Sequence, residues 1–194
     1  MFQVRIHGRG GQGVVTAAEL LSVAAFLEGR HSQAFPSFGS ERMGAPVMAF
    51  CRIDDKEIRL REPVMHPDAL IIQDPGLLHQ VNLFEGLSEN GFVLINSSRT
   101  LAELGLDELA GEDCKCLGCT VPATDLALKH VGRPVPNAAL LGGFAAISDR
   151  IRLESVEAAI RDRFPAKVAE GNVKAARAAF DVAKSGRCQE ALPC

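Results

Sequence analysis

The chain has 194 residues, 47% of them hydrophobic, and a formal net charge of −3. That length supports a single domain with its own core, and the slightly acidic balance excludes a polybasic face for nucleic acid or anionic lipid. Trp and Tyr are absent and every aromatic is Phe, which argues against a base-stacking platform.

Residues 3–7 read as a short buried strand. The first residues run straight into it with no apolar leader region, and no apolar run reaches the roughly 18 residues that span a bilayer. The expected location is therefore the cytoplasm, where six cysteines favour reduced thiols over a disulfide framework. Next comes Gly8-Arg9-Gly10-Gly11-Gln12-Gly13, followed by a helical pattern over 14–28 that Gly29 ends. Residues 31–38 form a second extended segment, marked by Pro36 as an edge or bent strand. A polar, glycine-bearing loop spans 37–46. Residues 47–53 form a strand, and Asp54-Asp55 turns it into 57–60 as a β-hairpin.

Ala69-Leu70-Ile71-Ile72-Gln73 is continuously apolar up to its last residue, as in a buried parallel strand. Asp74-Pro75 ends it. Residues 76–89 are helical in pattern, 92–96 form another buried strand, 114–121 a further strand and 124–131 a helix. Asn137 caps a helix to about Ser148, and helices follow over 153–163 and 167–184. Strands alternating with helices predict an α/β, Rossmann-like domain, with a mostly parallel sheet, flanking helices and a helical C-terminal part. The domain is expected over 1–184, with 185–194 as a short tail.

The glycine segment carries the most information. Between a strand and a helix it gathers backbone N–H groups at a helix N-terminus, a ready site for phosphate or for another subunit's backbone. Gly8, Gly10 and Gly13 match the spacing of a dinucleotide fingerprint, but that site also needs an acid at the end of the second strand. Ser32 to Phe38 contain none. A phosphate of another ligand, or an intersubunit contact, is the better expectation; an NAD site and a purely structural turn are the alternatives. The loop of Ser40, Glu41 and Arg42 is expected beside it, with Arg42 able to pair with a phosphate or carboxylate.

Cys114, Cys116 and Cys119 are closely spaced, but Cys114 and Cys116 alternate within a strand pattern, where Cys serves as a small hydrophobe. The expectation is no metal site. None of the five histidines lies at ligand spacing from another. No Ser–His–Asp order, metalloprotease motif or P-loop lysine is present, so the chain lacks a complete catalytic set.

Together the glycine segment, Phe38-Gly39-Ser40-Glu41-Arg42-Met43-Gly44-Ala45-Pro46, Asp74-Pro75, Gly132-Arg133-Pro134 and Asn137-Ala138-Ala139-Leu140-Leu141-Gly142 resemble the gamma subunit of 2-oxoacid:ferredoxin oxidoreductases of the pyruvate type. The likeness covers about residues 1–184. It implies a non-catalytic subunit of a complex that converts pyruvate and coenzyme A to acetyl-CoA, CO₂ and reduced ferredoxin. It implies alpha, beta and delta-type partners or fused equivalents. Thiamine diphosphate and [4Fe–4S] clusters would belong to those partners, and ferredoxin or another acceptor would take the electrons. The expected coenzyme A contacts are Arg9, Gly10, Gly11, Gln12, Gly13, Ser40 and Arg42, with no catalytic residue and no metal ligand in this chain. Family members often carry Glu-Arg-Arg-Gly where this chain has Glu41-Arg42-Met43-Gly44, so the loop holds one positive charge fewer. The clustered cysteines fall where the family has a Val-rich strand. The alternatives are a self-contained NAD-binding oxidoreductase and a purely structural assembly subunit.

Overall fold

A computed structural model describes residues 1–37, 43–106 and 116–187. Its centre is a six-stranded sheet in the order β2-β3-β1-β4-β5-β6. The strands are β1 (Phe2–Arg9), β2 (His31–Pro36), β3 (Pro46–Asp54), β4 (Ala69–Ile72), β5 (Phe92–Asn96) and β6 (Leu117–Val121). β1, β4, β5 and β6 pair in parallel, while β3 runs antiparallel to both β1 and β2. Five strands therefore share one direction and only β3 opposes them. The helices are α1 (Val14–Leu27), α2 (Ala123–Val131), α3 (Asn137–Ser148), α4 (Leu153–Arg163) and α5 (Ala166–Val182).

Strand alternation sorts the side chains into two cores. Val4, Ile6, Ala49, Cys51, Ile53, Ala69, Ile71 and Leu94 join residues of all five α-helices. Leu70, Ile72, Val93 and Ile95 face the other way, onto Leu77, Leu78, Leu83, Leu101 and Leu104 from short turns and 3-10 segments. Among the described residues the α-helices thus form a layer on one face of the sheet only. On the opposite face, the β1–β3 side carries Arg5, His7, Phe50 and Arg52.

The hairpin expected from 47–53 and 57–60 does not form. Both edges of β3 are already taken, by β2 and β1, so no ladder position remains for 57–60. The helix expected over 76–89 is also replaced. Only Pro75–His79 winds, as a 3-10 helix capped by Asp74, whose carboxylate accepts from the Gly76 N–H. Beyond it Arg5 takes the chain's carbonyls: its guanidinium donates to the oxygens of Leu83 at 2.9 Å and Glu85 at 2.6 Å. A buried cation holding these oxygens stabilises an irregular path that helical hydrogen bonding would compete with. β2 lies at the sheet edge, as Pro36 indicates. The expected strand over 114–121 is seen from Leu117; Cys114 and the start of that segment lie outside the described residues, as does the tail from 188.

α3 is buried along its whole length. It approaches α5 so closely that a Cβ on Gly142 would lie 2.0 Å from the carbonyl oxygen of Ala176. At the far side of α5, Arg177 and Arg161 both donate to the buried Glu157 of α4, and these bonds hold the Glu157 carboxyl below its ordinary range. Asn137 begins α3, with its side-chain oxygen on the Ala138 N–H.

Candidate functional site

The carboxyl ends of β1 and β4 meet where the chain order reverses. The connection after β1 leads through α1 toward the β2 side, and the chain later returns to build β4 and β5 on the other. Open α/β sheets place ligands at such a switch point. Here the glycine segment, the 43–46 segment and Asp74 converge.

Gly11 and Gly13 have φ of +95° and +76°, the left-handed region in which glycine carries no Cβ penalty. Gly13 precedes α1 directly. A Cβ on Gly13 would also lie 2.7 Å from the side-chain nitrogen of Asn137, so the loop packs onto the start of α3 as well. Gly8 is excluded from side-chain substitution by Val14 and Gln73.

The structure redistributes the expected donors. The Gly10 N–H donates to the Ala45 carbonyl and the Gly44 N–H to the Gly10 carbonyl. The Gln12 N–H donates to the Arg9 carbonyl at 3.0 Å. Gly10 and Gln12 therefore spend their N–H groups inside the protein. The orphan donors of α1 are the first-turn N–H groups of Val14, Val15 and Thr16, which have no intrahelical acceptor; the first helical bond is Ala17 N–H to Gly13 O. Their residues border a recess of about 290 Å³, walled also by Arg9, Gly10, Gly11, Gly13 and Val47. Thr16 adds a hydroxyl that the glycine spacing gave no sign of; the ordinary rule for helix first turns would have pointed to it.

Arg9 is likewise committed. Its Nε donates to Asp74 at 2.9 Å, one Nη to Gln80 at 2.9 Å and the other to the Gly44 carbonyl at 3.1 Å. Gln12 donates to the same Asp74 oxygen at 3.0 Å. Ser40 and Arg42 lie outside the described residues. Met43, 88% exposed, places its sulfur 3.3 Å from where a Cβ of Gly11 would be.

A second cavity, of about 500 Å³, lies on the face of β1 and β3 away from the α-helices, between Met48, Phe50, Val64, Met65 and Val81. Arg5 and His7 lie at its floor, 7% and 5% exposed. Burial, reinforced by the Arg5 charge, pushes the His7 pKa down to about 3, so the imidazole is neutral at physiological pH.

Among the described residues no three His, Cys, Asp or Glu side chains converge as a metal site. Cys51 is a free, buried thiol whose pKa burial pushes up. Cys116 and Cys119 are disulfide-bonded, against the expectation of reduced thiols. Both residues are buried, 1% and 0% exposed.

The family model for pyruvate ferredoxin/flavodoxin oxidoreductase matches residues 3–182. The chain belongs to this family. It is 47% identical over 181 residues to the pyruvate/ketoisovalerate oxidoreductases common subunit gamma of Thermococcus litoralis, covering 93% of this chain and 96% of that one. It is 45% identical over 184 residues to the pyruvate synthase subunit PorC of Methanothermobacter marburgensis, covering 95% and 98%. The crystal structure of the pyruvate oxidoreductase subunit PORC of Thermotoga maritima superposes with a TM-score of 0.80 at 35% identity, over 93% of this chain and 96% of that chain. The chain is thus a gamma-type subunit of a 2-oxoacid oxidoreductase, and the fold expectation holds as an α/β fold with a mostly parallel sheet. No helix among the described residues is long and apolar enough to cross a membrane.

Proposed function

We propose that this chain helps form the coenzyme A site of a multi-subunit 2-oxoacid:ferredoxin oxidoreductase, with the N-terminus of α1 receiving a phosphate of coenzyme A at a subunit interface. The observation that carries this reading is the first turn of α1. Val14, Val15 and Thr16, with three orphan N–H groups and one hydroxyl, border one recess, and the positive end of the helix dipole favours an anion there. Gly10, Gly11 and Gly13 let the ligand approach the backbone, and Arg9 and Gln12 shape the loop. Ser40 and Arg42 belong to the same proposed site.

Within that complex the chain binds and orients, and no catalytic group is assigned to it. Thiamine diphosphate and [4Fe–4S] clusters, held by alpha, beta and delta-type partners, would supply the decarboxylation and electron-transfer chemistry. Ferredoxin or another acceptor would take the electrons. Residues 1–184 act as one unit in this reading, and the complex is placed in the cytoplasm.

The NAD alternative loses support from the topology. β3 lies between β1 and β2 and runs antiparallel to both, where the dinucleotide fold has its second parallel strand and the acid that binds ribose. A purely structural subunit remains as an outcome of the test.

Thr16→Asp in the assembled enzyme is that test. An acid in the first turn suits the helix dipole by about 0.3–1 kcal/mol, so the fold is retained while a phosphate is repelled. The KM for coenzyme A should rise at least roughly tenfold, and more than the KM for the 2-oxoacid. An unchanged KM for coenzyme A in an assembled, active complex would favour the structural role.

A further inference from the structure

A segment with four glycines in six residues has little shape of its own, because glycine loses more backbone freedom on ordering than any other residue. Something outside the loop must hold it. In this protein one carboxylate does so. One oxygen of Asp74 accepts from the Arg9 Nε at 2.9 Å and from the Gln12 side-chain amide at 3.0 Å. Its other oxygen accepts from the Gly76 N–H at 2.8 Å. Gln12 closes the ring by accepting the Arg9 N–H at 2.7 Å. The two side chains that flank Gly10 and Gly11 are therefore pinned to the end of β4. Asp74 and Arg9 side chains are only 19% and 25% exposed, so water competes weakly for these bonds.

We propose that Asp74 is a positioning residue for coenzyme A, latching Arg9 and Gln12 so that the first turn of α1 stays open toward the recess. Arg9, which also borders the recess, serves through this latch rather than as the phosphate contact, because each of its three nitrogens already donates one bond, to Asp74, Gln80 and Gly44. This rests on the coenzyme A reading above.

Charge and position predict opposite outcomes, which makes the latch testable. Asp74→Asn removes a negative charge near an anion site. If charge alone mattered, coenzyme A would bind more tightly. If the latch matters, the single amide oxygen cannot serve Arg9, Gln12 and the Gly76 N–H together, so the loop loosens and binding weakens. In the assembled enzyme, the KM for coenzyme A of Asp74→Asn should rise roughly tenfold, exceeding any fall in kcat. Arg9→Met should give a similar rise, and the double variant no more than either alone, since both break one unit. The slope of KM against salt should stay the same in Arg9→Met, because no phosphate contact is lost.

A KM for Asp74→Asn that is unchanged or lowered overturns the latch. So does a double variant whose effects multiply, or an Arg9→Met enzyme with a flattened salt slope. Should Asp74→Asn fail to assemble, Gln12→Met removes one arm of the latch and leaves Arg9 on Asp74. It should raise the KM for coenzyme A by a smaller factor, and an unchanged value overturns the proposal. Thr16→Asp separates the two readings. If it raises the KM while Asp74→Asn does not, the latch alone is wrong. If it leaves the KM unchanged, the site reading itself has failed.

Discussion

His7 lies in β1 two residues before Arg9, which binds Asp74, and it is buried beside a cation. The folded imidazole takes up a proton only near pH 3, whereas in the unfolded chain it does so near pH 6.5. Between those values the unfolded state binds more protons, so stability rises with pH and is lost as pH falls below about 6.5. The slope is about 1.4 kcal/mol per pH unit for one group. His7→Gln should therefore lose less stability between pH 6.5 and 4.5 than the parent chain, by about 2 kcal/mol. Urea midpoints at the two pH values measure this; equal losses in both proteins would contradict a neutral, buried His7. Other residues show what the sequence could disclose about the site. Gly11 and Gly13 were legible because left-handed backbone selects glycine. Val14, Val15 and Thr16 were not, because their contribution is main-chain N–H. Arg9 was legible as a basic residue in the loop but not as one bound by Asp74, since its partner is 65 residues away.

The elements whose fates lay in local pattern formed as expected, and those decided by distant partners did not. α1, β4, β5 and the C-terminal helices follow their apolar periodicity. The hairpin after β3 fails because β1 and β2 claim both edges of that strand. The helix over 76–89 fails because Arg5, from β1, draws two of its carbonyls; no local propensity encodes that competition. The α3–α5 contact is a further case. Gly142 looks like a poor helix residue by propensity, yet it is where α3 meets the backbone of α5. Gly142→Ala should drive the helices apart and cost about 1–3 kcal/mol, although Ala favours helix by about 1 kcal/mol over Gly in isolation. A urea midpoint equal to or above that of the parent would show that the close approach is not required.

The whole molecule divides its two faces between different tasks. The α-helices build one core against the sheet, and a smaller core of turns covers β4 and β5 on the other face. The loops after β1, β2 and β4 gather at one end of the strands, as parallel order dictates. That end was readable from alternating strands and helices together with the ordered motifs. The one-sided helix layer was not, because amphipathic pattern shows that a face is buried without showing which side of the sheet it covers. In the proposed complex the start of α1 meets coenzyme A within the assembled enzyme. Amide hydrogen exchange over residues 13–20, measured in the complex with and without coenzyme A, addresses it most directly. Exchange at Val14, Val15 and Thr16 should slow when coenzyme A is added to the complex. Unchanged exchange there, with protection by coenzyme A appearing elsewhere in the complex, would contradict it.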